Sequence, residues 1–470
     1  VNTVDRFFEI TRRGSTVAAE VRGGIVSFIA MAYIIVLNPI ILAGPKDIAG
    51  NHLEFTQVSA ATALTAGAMT ILFGVIARLP FAFAAGLGIN SFLATSVVGT
   101  LTWPEAMGLV VIDGLIIVAL AATGLRRLVF DAVPMQLKLA ITAGIGLFIL
   151  FIGLVDAGFI SSTGLPSPPI GLGGGGHGSI TGVPTLVFIL TLLLTGVLVA
   201  RQVRGSILIG LLAGTVLAIA VEAIWHLGSA VDNPGGWGLS VPRLSGSPFA
   251  IPDLSLVGAF NFHSFGRIGM LAATMLVFTL VFANFFDALG TFTGLSRATG
   301  LADPAGNFPR LRAALIVEGV GAVLGGATSS SSNTVFIESG TGIEEGARTG
   351  LANLVTGALF LAAMFVAPLA SIVPSEVAAA ALVIVGVMMV SHLRHIDISE
   401  FSVALPVILT IAVMPLSYSI ANGIGVGFVS WVVLRSAIGK AREISPLLWF
   451  VAAGFLLYFA RAGIETLVGG

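Results

Sequence analysis

Apolar runs close to 20 residues long recur along almost the whole of this chain, separated by short polar connections or by stretches rich in glycine and proline. A helix rises about 1.5 Å per residue and a bilayer's hydrocarbon core is about 30 Å thick, so each run is long enough to cross. The pattern predicts an all-α polytopic membrane protein rather than a soluble domain on one anchor. Of 470 residues, 56% are hydrophobic and only 10% are charged, against about 25% charged in a soluble domain. There is no cysteine, which excludes disulfides, thiolate chemistry and Cys-ligated metal. A net charge of −1 with scattered arginines offers no nucleic-acid surface.

The expected crossings are 23–43, 56–77, 81–98, 104–122, 134–154, 183–200, 205–225, 268–294, 311–325, 327–341, 350–371, 375–391, 401–416 and 419–437, fourteen in all. A further apolar run, 446–460, is short and ends at Arg461; it either lies at the interface or completes the last span. Residues 1–22 are polar, lack the apolar stretch of a signal peptide, and read as a cytoplasmic tail. With that tail inside and fourteen crossings, 18 of the 22 Lys and Arg fall on the cytoplasmic side, Arg126, Arg127, Arg297 and Arg394 among them. The long outer loops 155–182 and 228–267 hold only Arg243 and Arg267. That asymmetry follows the positive-inside rule. The stretch PSPPIGLGGGGHG (166–178) is expected to be loop, with His177 a solvated histidine.

Two weak internal correspondences suggest duplication. VPMQLKLAITAGIGLFI (133–149) resembles VPSEVAAAALVIVGVMM (373–389), with the VP pair and a later glycine 240 residues apart. Asn38 and Asn90 stand 249 and 248 residues before Asp287 and Glu338. Seven crossings per copy is odd, so the copies must be inverted in the membrane, the common plan of secondary transporters.

Asp287 lies in the apolar stretch MLVFTLVFANFFDALGTFTG, and Glu338 follows the polar run ATSSSSNTVFI where a crossing is expected. A carboxylate in hydrocarbon costs several kcal/mol unless it is paired, protonated or facing a cavity, which makes both acids candidates for a functional site. Each also has a structural reading: Asp287 bonded to a helix amino end or to Asn284, Glu338 as a cap or as glue between repeats. Thr291 is one turn from Asp287 on the same face. Asn90, with Ser91, either caps a half-helix or touches substrate. Phe285 and Phe286 offer a stacking face or packing, and Asn38 and Asn353 are candidate interhelical hydrogen-bonders. Glu344, Glu345 and Arg348 read mainly as a solvated turn, with a gating salt bridge as the lesser option. His392 and His395 lack the acidic partners of a metal site.

The stretch LPFAFAAGLGINSFL (79–93) reads as a discontinuous crossing, with a half-helix from Gly88 or Ile89; GGATSSSSNTVFIESGT (325–341) is its counterpart. Irregular backbone at membrane depth is tolerated only when buried in protein or lining a cavity. Backbone amides of Ala84, Ala85, Phe336 and Ile337 are placed to meet the edge of a planar heteroaromatic, whose ring N–H groups the carboxylates would accept.

At these residues the chain resembles the nucleobase–cation symporter 2 superfamily, specifically its AzgA-like branch of adenine, guanine and hypoxanthine permeases. The matching stretches are GGIVSFIAMAYIIVLNP (23–39), LPFAFAAGLGINSF (79–92), FFDALGTFTGLS (285–296), ATSSSSNTVFIESGTGIEEGARTGL (327–351) and YSIANGIGVGF (418–428). The resemblance implies fourteen helices in a seven-plus-seven inverted repeat, with extended stretches in spans 3 and 10. It implies a core domain (23–122 and 268–371) moving against a gate domain (134–225 and 375–470). The span-8 acid of that family falls on Asp287, its span-10 acid on Glu338, its span-3 asparagine on Asn90, and its span-10 backbone positions on Phe336 and Ile337. Pyrimidine- and xanthine-preferring relatives usually have Glu then His where this chain has Asp287 and Thr291, and the shorter acid leaves room for a purine. The run Ser329–Ser332 departs from the family's Ser/Thr pattern and leaves selectivity open.

The expected function is uptake of a purine nucleobase across the cell inner membrane by proton symport, with Asp287 as first choice for the proton and Glu338 as its partner. Sodium coupling or exchange stays open, and a second copy of the chain is a partner the sequence leaves open. An anion transporter of the same architecture would want a basic or neutral site rather than two acids, and no enzyme's nucleophile–base pair, cofactor site or metal set is visible in or near the spans.

Overall fold

The structure, a computed structural model, describes residues 3–124, 132–165, 167–173, 178–244, 247–300 and 308–468; for residues 286, 289, 290, 293, 294, 297, 298, 392 and 461–468 only the backbone is described. Arg126, Arg127 and His177 therefore lie outside the described residues, as do the side chains of Phe286, Arg297 and His392. The main helices are α1 (Val17–Met31), α2 (Ile34–Ala43), α3 (Phe55–Ile76), α4 (Leu87–Phe92), α5 (Trp103–Thr123), α6 (Met135–Asp156), α7 (Val183–Ala200), α8 (Ser206–Trp225), α9 (Met270–Ala298), α10 (Leu311–Ala327), α11 (Ser339–Glu344), α12 (Gly350–Ala363), α13 (Ser375–Val390), α14 (Phe401–Leu416), α15 (Ile420–Ala437) and α16 (Pro446–Val468). Among the described residues, nine helices, α1 and α2 counting as one, are long and apolar enough to cross a membrane. The uncertain run 446–460 forms most of α16, which packs on α15 and α9.

Short strands fill both expected breaks. β1 (Phe83–Ala85) precedes α4, and β4 (Asn333–Val335) precedes α11. They pair antiparallel in the register Phe83↔Val335, Ala84↔Thr334 and Ala85↔Asn333. Buried strand edges need partners, and β1 finds one on α3: the Phe83 N–H donates to Thr70 Oγ1 at 2.9 Å. Phe81 and Phe83 also join a buried aromatic group with Phe73 and Phe292, the Phe73 and Phe83 ring centres being 4.8 Å apart.

Close helix packing rests on glycine. α12 lies along α3, α10 along α5, and α13 along α6. A Cβ built on Gly350 would sit 1.9 Å from the Gly74 carbonyl oxygen, and one on Gly319 would sit 2.9 Å from that of Gly114. Gly146 and Gly386 meet in the same way: a Cβ on either would lie 2.8 or 2.7 Å from the other's carbonyl oxygen. α6 and α13 both begin directly after a proline, Pro134 and Pro374. Pro39 lies inside α2 and cannot donate to the Ile35 carbonyl, which instead accepts from Ser59 Oγ at 3.0 Å.

Two expectations need correction here. The stretch 166–178 is not all loop, because Ile170–Leu172 forms a strand (β3) paired antiparallel with β2, Ile160–Ser162. A β-branched residue beside a waiting strand edge outweighs the neighbouring glycines. Residues 17–22 are also not tail but the first turns of α1, where Glu20 is fully buried and accepts from the Arg348, Thr349 and Ala352 N–H groups at the start of α12. The two arginines of the long loops are both ion-paired, Arg243 with Glu222 at 2.6 Å and Arg267 with Glu105 at 2.8 Å.

Candidate functional site

The two strand-containing breaks and α9 converge on the acids. Asp287, on α9, and Glu338, three residues past β4 and at the start of α11, are both half-buried and within electrostatic reach of each other. Thr291 is half-buried as well, and Ile337 is 49% exposed. The Glu338 carboxylate does not cap α11. Its Oε1 accepts from the Tyr33 hydroxyl at 2.5 Å, and Tyr33 is wholly buried at the break between α1 and α2. A carboxylate accepting from a hydroxyl makes one of the stronger hydrogen bonds available, and here it fixes the rotamer of the acid.

Asn90, Ala84 and Ala85 are fully buried behind this face. Asn90 does not cap the half-helix, whose N-cap is Gly86; α4 begins at Leu87, a residue earlier than expected. Its Nδ2 donates to Asn38 Oδ1, so it links α4 to α2. Asn353 on α12 does not link two helices but holds the non-helical stretch before β1, donating to the Phe81 carbonyl at 2.7 Å. Phe285 is buried in the main hydrophobic core, a packing position.

The strand register corrects the backbone expectation for Ala84 and Phe336. The Phe336 N–H donates to the Ala82 carbonyl and the Gly86 N–H to the Ser332 carbonyl, each at 2.9 Å. Antiparallel ladders alternate, so Ala84 and Thr334, midway between these bonds, form a hydrogen-bonded pair. The amides of Ala84 and Phe336 are therefore spent on holding the two breaks together. The same alternation turns the Ala85 amide off the ladder.

Two further buried acids escaped the sequence reading. Asp113 on α5 is wholly buried and accepts from Asn284 Nδ2 at 3.1 Å; that same nitrogen donates to Ser332 Oγ at 2.7 Å. Asn284 is thus committed to Asp113 rather than Asp287. Glu318 on α10 lies against Thr334 and the Val335 N–H, without hydrogen-bond geometry to either. Its place beside β4 mirrors that of Thr70 beside β1. Each acid interrupts an apolar run (LVVIDGLIIV and LIVEGVGAVL), the signal that singled out Asp287.

In the charge cluster after α11, Glu344 is exposed and Arg348 donates to the Ile343 and Ala347 carbonyls, but Glu345 is an ion-pair node. Glu345 pairs with Arg22 of α1 at 2.8 Å and with Arg204 from the α7–α8 connection, and its side chain is only 11% exposed. A cavity of about 480 Å³ lies elsewhere, lined by Met135, Glu400, Trp431 and Arg435 among others, and touches neither Asp287 nor Glu338.

Comparison with known proteins relates the chain to permeases. The chain is 36% identical to the guanine/hypoxanthine permease PbuG of Bacillus subtilis over 462 residues, covering 96% of this chain and 98% of that one. It is 34% identical to the adenine permease AdeP of Escherichia coli, covering 97% and 95%. The transmembrane domain of a cyanobacterial bicarbonate transporter, BicA, superposes with a TM-score of 0.63 at 17% identity, covering 86% of this chain and 97% of that domain, and shares the fold. The sequence matches the Permease family Xan_ur_permease over residues 18–426, and the chain belongs to that family of membrane transport proteins.

Proposed function

We propose that this protein carries a purine nucleobase (guanine, hypoxanthine or adenine) into the cell through the inner membrane by proton symport with alternating access. The observation that carries the proposal is the meeting of Asp287 and Glu338, half-exposed, beside the paired strands of two broken crossings. Two acids suit a substrate with ring N–H donors and do not suit an anion. Purine permeases among the relatives support the substrate class.

In this reading fourteen crossings form an inverted repeat of seven and seven. Packing supports it: exchanging each first-half element for the one seven crossings later turns α3–α12 into α10–α5, α1–α12 into α9–α5, and α7–α13 into α14–α6, all observed pairs. Elements on a two-fold axis must meet their own equivalents. β1 meets β4, and Gly146 meets Gly386, its counterpart 240 residues later. Core domain 23–122 with 268–371 then moves against gate domain 134–225 with 375–470, the amino terminus lying in the cytoplasm. Asp287 exchanges the proton, Glu338 accepts a purine ring N–H, and Thr291, Ile337 and Asn90 complete the site.

Reconstituted protein should accumulate hypoxanthine or guanine under an inward proton gradient and stop when an ionophore collapses it. Uptake that ignores the collapse, or that follows sodium instead, overturns the coupling. Asp287→Asn should abolish accumulation, and unchanged coupled uptake would remove that acid from the mechanism.

A further inference from the structure

We infer that Asn38 is a positioning residue that fixes the polarity of the Asn90 amide, so that the site offers a ligand N–H the carbonyl end of Asn90. The inference rests on the purine reading above and deepens it by assigning a hydrogen-bond polarity to one side chain.

The chain of constraint starts at a group that cannot change its role. The Ser330 carbonyl accepts from Asn38 Nδ2 at 2.9 Å, and a backbone carbonyl has no hydrogen to give. Thr62 agrees: its hydroxyl donates to the Val58 carbonyl at 2.6 Å, so its oxygen accepts from the same Asn38 nitrogen at 2.7 Å. Both neighbours therefore demand the NH₂ end of Asn38. Its Oδ1 must face the other way, where it meets Asn90. An oxygen there takes a donor, so Asn90 turns its own NH₂ toward Asn38 and its Oδ1 away from it. That Oδ1 is buried and has no hydrogen-bond partner among the described residues.

Amide orientation is ordinarily assigned from the network around it, and here the network has a single solution. Were Asn38 reversed, Ser330 and Thr62 would both face a carbonyl oxygen. Asn38 and Asn90 are wholly buried, so no solvent can repair a mismatch. α4, which carries Asn90, also packs against α9, which carries Asp287. A purine held there meets an acceptor that selects for a donor. The serine run thus acts on selectivity through the carbonyl of Ser330, two residues removed from any ligand.

The test is binding of hypoxanthine and of its 1-, 7- and 9-methyl derivatives to the purified full-length protein. In the wild type one methylation, the one that removes the N–H facing Asn90, should weaken binding at least tenfold, and that penalty should vanish in Asn90→Ala. In Asn38→Ala, or Asn38→Ser should the alanine variant fail to fold, the freed amide turns over and the penalty should fall to threefold or less. Asn38→Asp still accepts from the Asn90 nitrogen, so the penalty should persist even where overall affinity drops. A penalty unchanged in Asn38→Ala, equal loss in Asn38→Asp and Asn38→Ala, or no penalty that tracks Asn90 would each overturn the inference. A wild type that binds no purine at all would instead overturn the function on which it rests.

Discussion

Removing one oxygen at Tyr33 isolates how far the buried hydroxyl prepares Glu338 for its ligand. Tyr33→Phe keeps the ring, which is wholly enclosed, and deletes only the donor 2.5 Å from Glu338 Oε1. A hydrogen bond to a charged group contributes about 1.5–3 kcal/mol. At about 1.4 kcal/mol per tenfold, the variant should bind hypoxanthine roughly 10- to 150-fold more weakly. The number is meaningful only if the loss passes through Glu338, so the assay is a double-mutant cycle with Glu338→Gln, read by equilibrium binding to purified protein. If the hydroxyl acts by orienting the acid, the double variant should be scarcely worse than Glu338→Gln alone, and the coupling should fall in that same range. A coupling below about 0.5 kcal/mol, or additive losses, would refute the idea that Tyr33 works through Glu338.

Further outcomes follow from the packing and the charges. Gly350→Ala places a methyl 1.9 Å from the Gly74 carbonyl oxygen and should lower thermal stability by about 1–3 kcal/mol, whereas Gly99→Ala, with nothing within 4 Å of its added carbon, should not; equal melting temperatures would refute the close α3–α12 contact. Glu345→Gln should loosen the contact between α1 and the α7–α8 connection and raise the thiol-labelling rate of an Ile207→Cys reporter several-fold, a clean readout in a chain without cysteine. Glu400, before α14, accepts from the Ser402 hydroxyl and from Lys440 and Arg435, which hold its carboxyl down at about 2. A pKa below the ordinary 4.5 adds stability above that value and loses it as pH falls through about 2. The melting-temperature gap between wild type and Glu400→Gln should therefore be full at pH 7 and close between pH 4.5 and 2; a gap that is flat with pH would refute the assignment.

What could be read in advance was whatever disturbs an apolar pattern. Asp287, Glu338 and the two broken crossings stand out because polar atoms and irregular backbone are costly in hydrocarbon. Asp113 and Glu318 carry the same signal, and the rule applied to them would have found them. Tyr33 left a fainter trace: the chain has only three tyrosines, and a phenol in an apolar run does not announce its partner 305 residues away. Which amides a strand keeps free depends on register, and the register of β1 is set by residues 250 positions downstream. No local pattern near Ala84 or Phe336 encodes that alternation.

The pairing of β1 with β4 has a consequence for how the chain is made. Synthesis and insertion run from the amino end, so for about half the length of the polypeptide the Ala82 carbonyl and the Gly86 amide have no mate, and Asn353, which later serves Phe81, does not yet exist. Hydrocarbon offers nothing to such groups. The early break must wait in protein or at the water boundary, and it reaches its final depth only once residues 332–336 and α12 have emerged. Neither half of this chain is a finished object until the other has arrived.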